Sequence, residues 1–400
     1  MKRRTLLKTS GWAALGCSVF PPQFLSAARS TSFDLSELDR HKIEKWELQE
    51  VAYHWPRFVG KNGRRDDHGQ HHTCTILKLY TDQGAMGWGL SGREDAEKAA
   101  PQLINKKVSE VIMPVVGMAD GLDRSLDFAL HDLMGVILQQ PVYQLLGAKG
   151  DVSNPVYSGM IYLDELNPGN RLKGIDAILD SCDWDLDYGY RQLKIKIGRS
   201  GRWYPHDEGL QKDIEVVRTV WQTFASRGVT LLVDANDMYS YRDTVKFLRG
   251  IDGIPLFWLE EPFRETAKDG RKLRYWMDDF GFENTYYADG EANPDHDVCL
   301  KLGEEKLMNV FLPDIYGLGF TNWIKLSARL QQIGMLASPH AWGNLLKTHY
   351  IAHLAAGLGG IITIEGVTCF SDEIDYGDYE IENGRLTVPD TPGFGMKLWK

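Results

Sequence analysis

Two lysines one residue apart, Lys194 and Lys196, lie in the run Leu193-Lys194-Ile195-Lys196-Ile197. In an extended segment alternate side chains share a face, so both ammonium groups point one way and three aliphatic side chains the other. A folded chain tolerates that face only where negative charge lies close. Asp234, Glu260 and Glu291, each ending a later hydrophobic run, can supply it. Three converging carboxylates repel one another until a cation or a proton relieves them. Oxygen ligands without Cys or His select a hard ion, Mg²⁺ before Mn²⁺ or Ca²⁺. Glu260 is preferred to its neighbour Glu261 for its place relative to Pro262.

With a metal at that mouth, Lys196 is the candidate base. Lys194 beside it and a divalent cation across from it both disfavour its charged form, so its pKa is expected below the usual 10.4 or so. Lys194 keeps its neighbour neutral and is placed to hold a substrate carboxylate. Asp314 and His340 end two further runs, and a carboxylate there fixes an imidazole tautomer and raises its basicity. Glu365 adds a hydrogen-bonding or acidic group at the last run. Asn236 and Glu261 are candidates for supporting the metal ligands, Asn236 also for substrate. Substrate choice is assigned to Arg57, Arg65, His68 and Tyr162.

The elements that must position these residues follow from hydrophobic periodicity. From about residue 155, eight apolar runs alternate with helix-like stretches: 156–162, 192–197, 229–234, 256–260, 285–291, 310–314, 334–340 and 361–365. From Asp234 to Glu365 their terminal ionisable residues are separated by 26, 31, 23, 26 and 25 residues. A period near 25 with alternating strand and helix predicts an α/β fold, a parallel β/α barrel whose chemistry sits at the C-terminal ends of the strands. Ahead of it, 43–53, 73–80 and a short segment through Met86 and Trp88 read as antiparallel strands, followed by a helix through Leu122–Ile137. A polar loop is expected over 54–72. Its Asp67, His68, His71 and His72 offer a weaker metal grouping. The predicted organisation is an export signal over 1–28, an N-terminal α+β domain over 29–150, the barrel over 151–370, and a final segment, 371–400, returning to the first domain.

A net charge of -10 argues against a nucleic-acid partner, and 43% hydrophobic against 25% charged residues is ordinary for a soluble core. Lys2-Arg3-Arg4-Thr5-Leu6-Leu7-Lys8 followed by a mildly apolar stretch and Ser26-Ala27-Ala28 reads as a twin-arginine signal, predicting periplasmic or otherwise exported protein. Lipid anchoring at Cys17 is not expected, nor is any membrane span. Cys74, Cys182, Cys299 and Cys369 are far apart and are expected to be buried thiols.

Lys194-Ile195-Lys196, Val233-Asp234-Ala235-Asn236, Trp258-Leu259-Glu260-Glu261-Pro262, Gly290-Glu291-Ala292-Asn293, Asp314, His340 and Glu365 together resemble the enolase superfamily, and within it the mandelate racemase subgroup. The likeness extends to 129–133, 141–147, and Glu382-Asn383-Gly384 through Pro392-Gly393. It implies a modified (β/α)₇β barrel with a capping domain, and a Mg²⁺-stabilised enediolate formed by removing the proton α to a carboxylate. Lys196 and the His340–Asp314 pair would then stand on opposite faces of the substrate, and the 54–72 loop would be a mobile cap. The interval from Glu260 to Glu291, the longest here, makes Asp289 a rival third ligand. The expected partner is a small carboxylate or sugar acid, with the chain in a homo-oligomer. The expected reaction is dehydration of an aldonate- or aldarate-type acid to a 2-keto-3-deoxy acid. Racemisation, epimerisation or cycloisomerisation is the alternative, and a non-catalytic exported binding protein the remote one.

Overall fold

The structure, a computed structural model, describes residues 33–399; the twin-arginine stretch and Cys17 lie outside the described residues. Strands β1 (Ile43–Val59), β2 (Gly69–Thr81) and β3 (Met86–Ser91) form an antiparallel sheet in that order. Helix α1 (Asp127–Leu138) packs on it so closely that a Cβ at Gly87 would lie 2.3 Å from the Leu133 nitrogen.

Most of the polar loop expected over 54–72 is strand: only residues 60–68 connect β1 to β2. Val51, Trp55 and Val59 are buried at even spacing along β1, a two-residue period obscured by Pro56 and by polar neighbours. Pro56 is accommodated where the β1–β2 register shifts between His54 and Val59, the setting in which a strand tolerates a residue with no N–H to give.

The barrel strands are β4 (Ser153–Ile161), β5 (Gln192–Lys196), β6 (Thr230–Asp234), β7 (Leu256–Glu260), β8 (Tyr286–Asp289), β9 (Val310–Phe311), β10 (Leu336–Ala337) and β11 (Ile364–Gly366). Neighbours pair in parallel from β4 to β10, and β11 pairs with β4. A parallel bridge between Ala337 and Ile361 closes the ring. Between successive strands lie α2 (Ile175–Tyr188), α3 (His206–Phe224), α4 (Tyr241–Gly250), α5 (Ala267–Asp279), α6 (His296–Glu304), α7 (Phe320–Ile333) and α8 (Leu345–Leu358). Tyr157, Leu232, Trp258, Ala288, Val310 and Leu312 pack together as one buried cluster inside the ring, a filled core rather than a pore.

Two further strands, β12 (Glu380–Glu382) and β13 (Arg385–Thr387), form a hairpin that pairs with the start of β4. Beyond it the Phe394 N–H donates to Asp132 on α1 at 2.8 Å, so the tail touches both barrel and capping helix. The four described cysteines are free thiols. Among the described residues no helix is long and apolar enough to cross a membrane.

Candidate metal centre and acid–base site

The register of the ring sets the site. Lys196 on β5 lies opposite Asp234 on β6, and Asp234 opposite Glu260 on β7, so three ionisable side chains stand abreast at the strand ends. Glu291 follows β8 on a turn that the chain holds deliberately: Glu261 Oε1 accepts from the Glu291 and Ala292 N–H groups at 3.0 and 3.2 Å. Glu261 is thus a positioning residue, bent toward its task by a left-handed backbone, φ 39°.

Asp234, Glu260 and Glu291 each place one carboxylate oxygen within 4.8 Å of the others'. Asp289 does not join them. It groups instead with Asp237 and Glu265 and accepts from the Tyr287 hydroxyl at 2.8 Å. The backbone reverses at Gly290 (φ 111°), which separates the two side chains. Glu260 Oε2, Glu291 Oε2 and Asn236 Oδ1 are buried with no hydrogen-bond partner. Buried acceptors seldom go unsatisfied, and this all-oxygen set fits a hard divalent ion such as Mg²⁺.

The lysines divide the ring between them. Lys194 Nζ lies 3.0 Å from both Glu260 Oε1 and Glu365 Oε1, and 1% of the residue is exposed. It is a buried strut between carboxylates, not a free hand for a substrate carboxylate. Lys196 Nζ contacts Asp234 Oδ2 and lies 5.4 Å from the centre of the Tyr162 ring. Its expected low pKa is not what these contacts give. Burial pulls the ammonium down and Lys194 adds to that, but Asp234 and Glu291 outweigh both and hold the pKa above the ordinary lysine range.

Across the ring, His340 Nδ1 donates to Asp314 Oδ2 at 2.9 Å, leaving Nε2 toward Glu291 Oε1 at 3.3 Å and Glu365 Oε2 at 3.8 Å. Burial disfavours the imidazolium, yet Glu291, Glu365 and Asp314 together raise its pKa. Burial would likewise push Glu365 up, but Lys194, His340 and the Ala341 N–H hold it down at about 2. A Cβ on Gly159 would come 2.7 Å from Glu365 Oε1, so a larger residue there would have to displace this carboxylate.

Of the substrate candidates, Tyr162 and His68 meet at 4.9 Å between ring centres, and both pack against Trp342, the former at 4.8 Å and the latter at 5.6 Å. Asn236 stands beside Asp234, its N–H donating to Oδ1 at 2.8 Å. Arg65 lines a cavity of about 680 Å³ that also touches Glu291, Asp314 and His340. Arg57 is elsewhere. It forms a two-pronged pair with Asp185 on α2 at 2.8 and 2.9 Å and donates to the Met160 carbonyl, which ties the capping strand β1 to the barrel. The Asp67/His68/His71/His72 grouping also comes apart: Asp67 pairs with Lys61 at 2.6 Å, His68 bonds the Gly60 carbonyl, and His71 and His72 alternate along β2.

Three contributors were missed by the sequence reading. Lys347 on α8 donates to the same Asp314 oxygen as His340, at 3.1 Å. Trp342 packs on Tyr162, the ring beside Lys196, and Arg124 lines the same cavity as Arg65. Only Trp342, two residues after His340, lay close enough in sequence to be suspected.

Comparison with known proteins adds to this geometry. A family described as Enolase C-terminal domain-like matches residues 179–399. The chain belongs to the enolase superfamily. This superfamily member is similar in structure to a galacturonate dehydratase from Geobacillus sp. complexed with Mg, at TM-score 0.84 and 28% identity over 92% of this chain and 95% of that one. It is similar to a mandelate racemase/muconate lactonizing protein from Geobacillus sp. Y412MC10 complexed with magnesium/tartrate, at TM-score 0.84 and 28% identity over 92% and 96%. By sequence it is similar to the arabinonate dehydratase of Saccharolobus solfataricus, 23% identical over 80% of this chain and 87% of the relative. Epimerases are also among its relatives, such as the hydrophobic dipeptide epimerase of Enterococcus faecalis, 24% identical over 49% of this chain and 55% of the relative. The α/β barrel with its capping sheet is that of the superfamily, and both Geobacillus structures are complexed with magnesium.

Proposed function

We propose that the protein is a Mg²⁺-dependent sugar-acid dehydratase, a hydro-lyase that converts an aldonate- or aldarate-type acid to its 2-keto-3-deoxy product. The observation that carries the proposal is that two different proton-transfer groups border one carboxylate trio: Lys196 touches Asp234, while His340 Nε2 faces Glu291. Asp234, Glu260 and Glu291 would hold the ion, which when bound supplies a Lewis acid for the substrate carboxylate and a counter-charge for its ligands. With Asp234 and Glu291 so neutralised, little keeps a proton on Lys196, and burial beside Lys194 favours the free amine. One of Lys196 and His340 removes the proton α to the substrate carboxylate. The electron pair moves into the carboxylate, then returns to expel the β-hydroxyl, which leaves as water with a proton from the other group. The resulting enol tautomerises to the 2-keto acid. Asp314 holds the His340 tautomer that leaves Nε2 to exchange the proton.

Groups able to move a proton on both sides also support a second reading, epimerisation, in which no hydroxyl is lost. The same experiment separates them. The protein is incubated with Mg²⁺ and a panel of sugar acids in D₂O and followed by NMR. A 2-keto-3-deoxy product supports dehydration. Recovered α-deuterated epimer supports epimerisation and overturns the dehydratase. Binding without exchange for every acid would overturn both. The twin-arginine stretch supports export of the folded enzyme, and a cell-fractionation blot with and without residues 1–28 tests that. Light scattering tests the expected homo-oligomer.

A further inference from the structure

The connection between β1 and β2 is pinned at several points. Asn62 Oδ1 accepts from the Arg64 and Arg65 N–H groups at 2.9 and 2.8 Å. Trp203 Nε1 donates to the Asn62 carbonyl at 2.7 Å, and Arg202 bonds the Arg64 carbonyl and Asp66. Arg64 itself pairs with Asp237 beyond β6. A Cβ on Gly63 would lie 2.5 Å from Met238, so the segment rests directly on the turn after β6.

Between these anchors Arg65 is the exception. Among the described residues its side chain makes no hydrogen bond or ion pair, and it lines the cavity of about 680 Å³ that opens from Glu291 and His340. Arg124, from the segment leading into α1, lines the same cavity and spends one N–H on the Gly317 carbonyl. Two guanidiniums from separate parts of the capping region thus line a space that also touches Glu291 of the carboxylate trio and the His340–Asp314 pair. A neutral sugar tail needs no such charge. A carboxylate does, because a guanidinium presents a planar fork of donors that matches it.

We infer that Arg65 and Arg124 determine specificity by receiving a second anionic group at the far end of the substrate, which makes the substrate a diacid, an aldarate rather than a simple aldonate. This inference rests on the sugar-acid dehydratase proposed above and narrows it. The bonds to the Arg64 and Arg65 N–H groups fix where the Arg65 side chain starts, and among the described residues neither arginine has an ion pair to break.

The test uses the Mg²⁺-loaded protein with galactarate and glucarate against galactonate and gluconate. Arg65→Gln and Arg124→Gln are each expected to lower the ratio of aldarate to aldonate kcat/KM about 10- to 100-fold, the loss carried by KM rather than kcat. Arg→Lys at either position is expected to restore part of the loss. Equal kcat/KM for aldarates and aldonates in the unaltered protein, or equal loss for both classes in the variants, overturns the inference while leaving the dehydratase intact. Calorimetric titration of the same four acids gives a separate reading. If no acid is turned over, the dehydratase proposal fails. Tighter binding of diacids that is lost in both Gln variants still upholds the arginines' role, and indifferent binding refutes it.

Discussion

Replacing Arg57 by Ala separates a structural role from a substrate role at a residue whose type alone suggests the latter. In the fold its guanidinium makes two charge-assisted bonds to Asp185, at 2.8 and 2.9 Å, and a third bond to the Met160 carbonyl at 3.0 Å. The Asp185 side chain has no exposed surface, and its remaining partner is the Ser158 hydroxyl at 2.5 Å. Alanine therefore strands a buried carboxylate with one neutral donor. Breaking one side of such a pair costs about 3–5 kcal/mol, a large share of the roughly 5–15 kcal/mol that holds a domain together. Urea unfolding followed by fluorescence should show a midpoint lowered accordingly, and the double variant Arg57→Met with Asp185→Asn should regain much of it, because no charge is left buried. Arg57→Lys should fall between, since an ammonium cannot reproduce the two-pronged geometry. Below the unfolding transition, kcat/KM per folded molecule should change little. An unaltered urea midpoint together with a tenfold or greater fall in kcat/KM would refute this reasoning and return Arg57 to the substrate.

Other perturbations follow from the same geometry. Glu261→Ala should weaken Mg²⁺ binding about 10- to 100-fold, as loss of a group that orients a metal ligand commonly does, whereas Glu261→Gln, which retains an acceptor for the Glu291 and Ala292 N–H groups, should stay near the starting affinity; metal titration by calorimetry distinguishes them. Gly159→Ala should press a methyl group onto Glu365, loosen its pairing with Lys194 and lower kcat at least tenfold, and an unchanged rate would contradict the close approach of β4. His353 lies buried, its Nδ1 accepting from the Tyr143 N–H at 3.0 Å and its Nε2 meeting the Tyr379 hydroxyl at 2.7 Å. Burial pulls its pKa down to about 3. The unfolded chain then takes a proton below about 6.5 that the folded chain refuses, so His353 costs the fold stability progressively as pH falls from about 6.5 toward 3. Relative to the unaltered protein, His353→Gln should therefore gain about 2 kcal/mol between pH 6.5 and 5 in urea unfolding, at about 1.4 kcal/mol per pH unit. A difference that does not vary with pH would show that His353 is already charged in the fold. Chelation of the divalent ion should abolish turnover reversibly, and an enzyme indifferent to chelator would remove the metal from the reaction.

Much of the barrel was legible in the sequence because its signal is local and repeated. A strand records its inward face at alternate residues, and the ionisable residue closing each run marks one end of the ring. The 54–72 segment shows how that signal fails. Trp55 and Val59 keep the period of two, but Pro56 and a series of polar residues mask it, and the strand continues on the strength of pairing with β2. Lys196 shows a different limit. Its neighbour Lys194 is visible two residues away, whereas the stronger pull of Asp234 and Glu291 depends on how closely separate strand ends approach.

The sequence by itself determined the order of strands and helices, and which acids, lysines and histidine end those strands, since alternation and strand spacing are properties of neighbouring residues. The tertiary structure decided the partners. It set Glu291 rather than Asp289 beside Asp234 and Glu260, through the turn at Gly290 and the hold of Glu261. It gave Arg57 to Asp185, 128 residues away, and among the described residues left the Arg65 side chain without a hydrogen-bond partner between anchored neighbours. Charges separated by a hundred residues meet only when the ring closes, and nothing in a local pattern of hydrophobic and polar residues records which will meet.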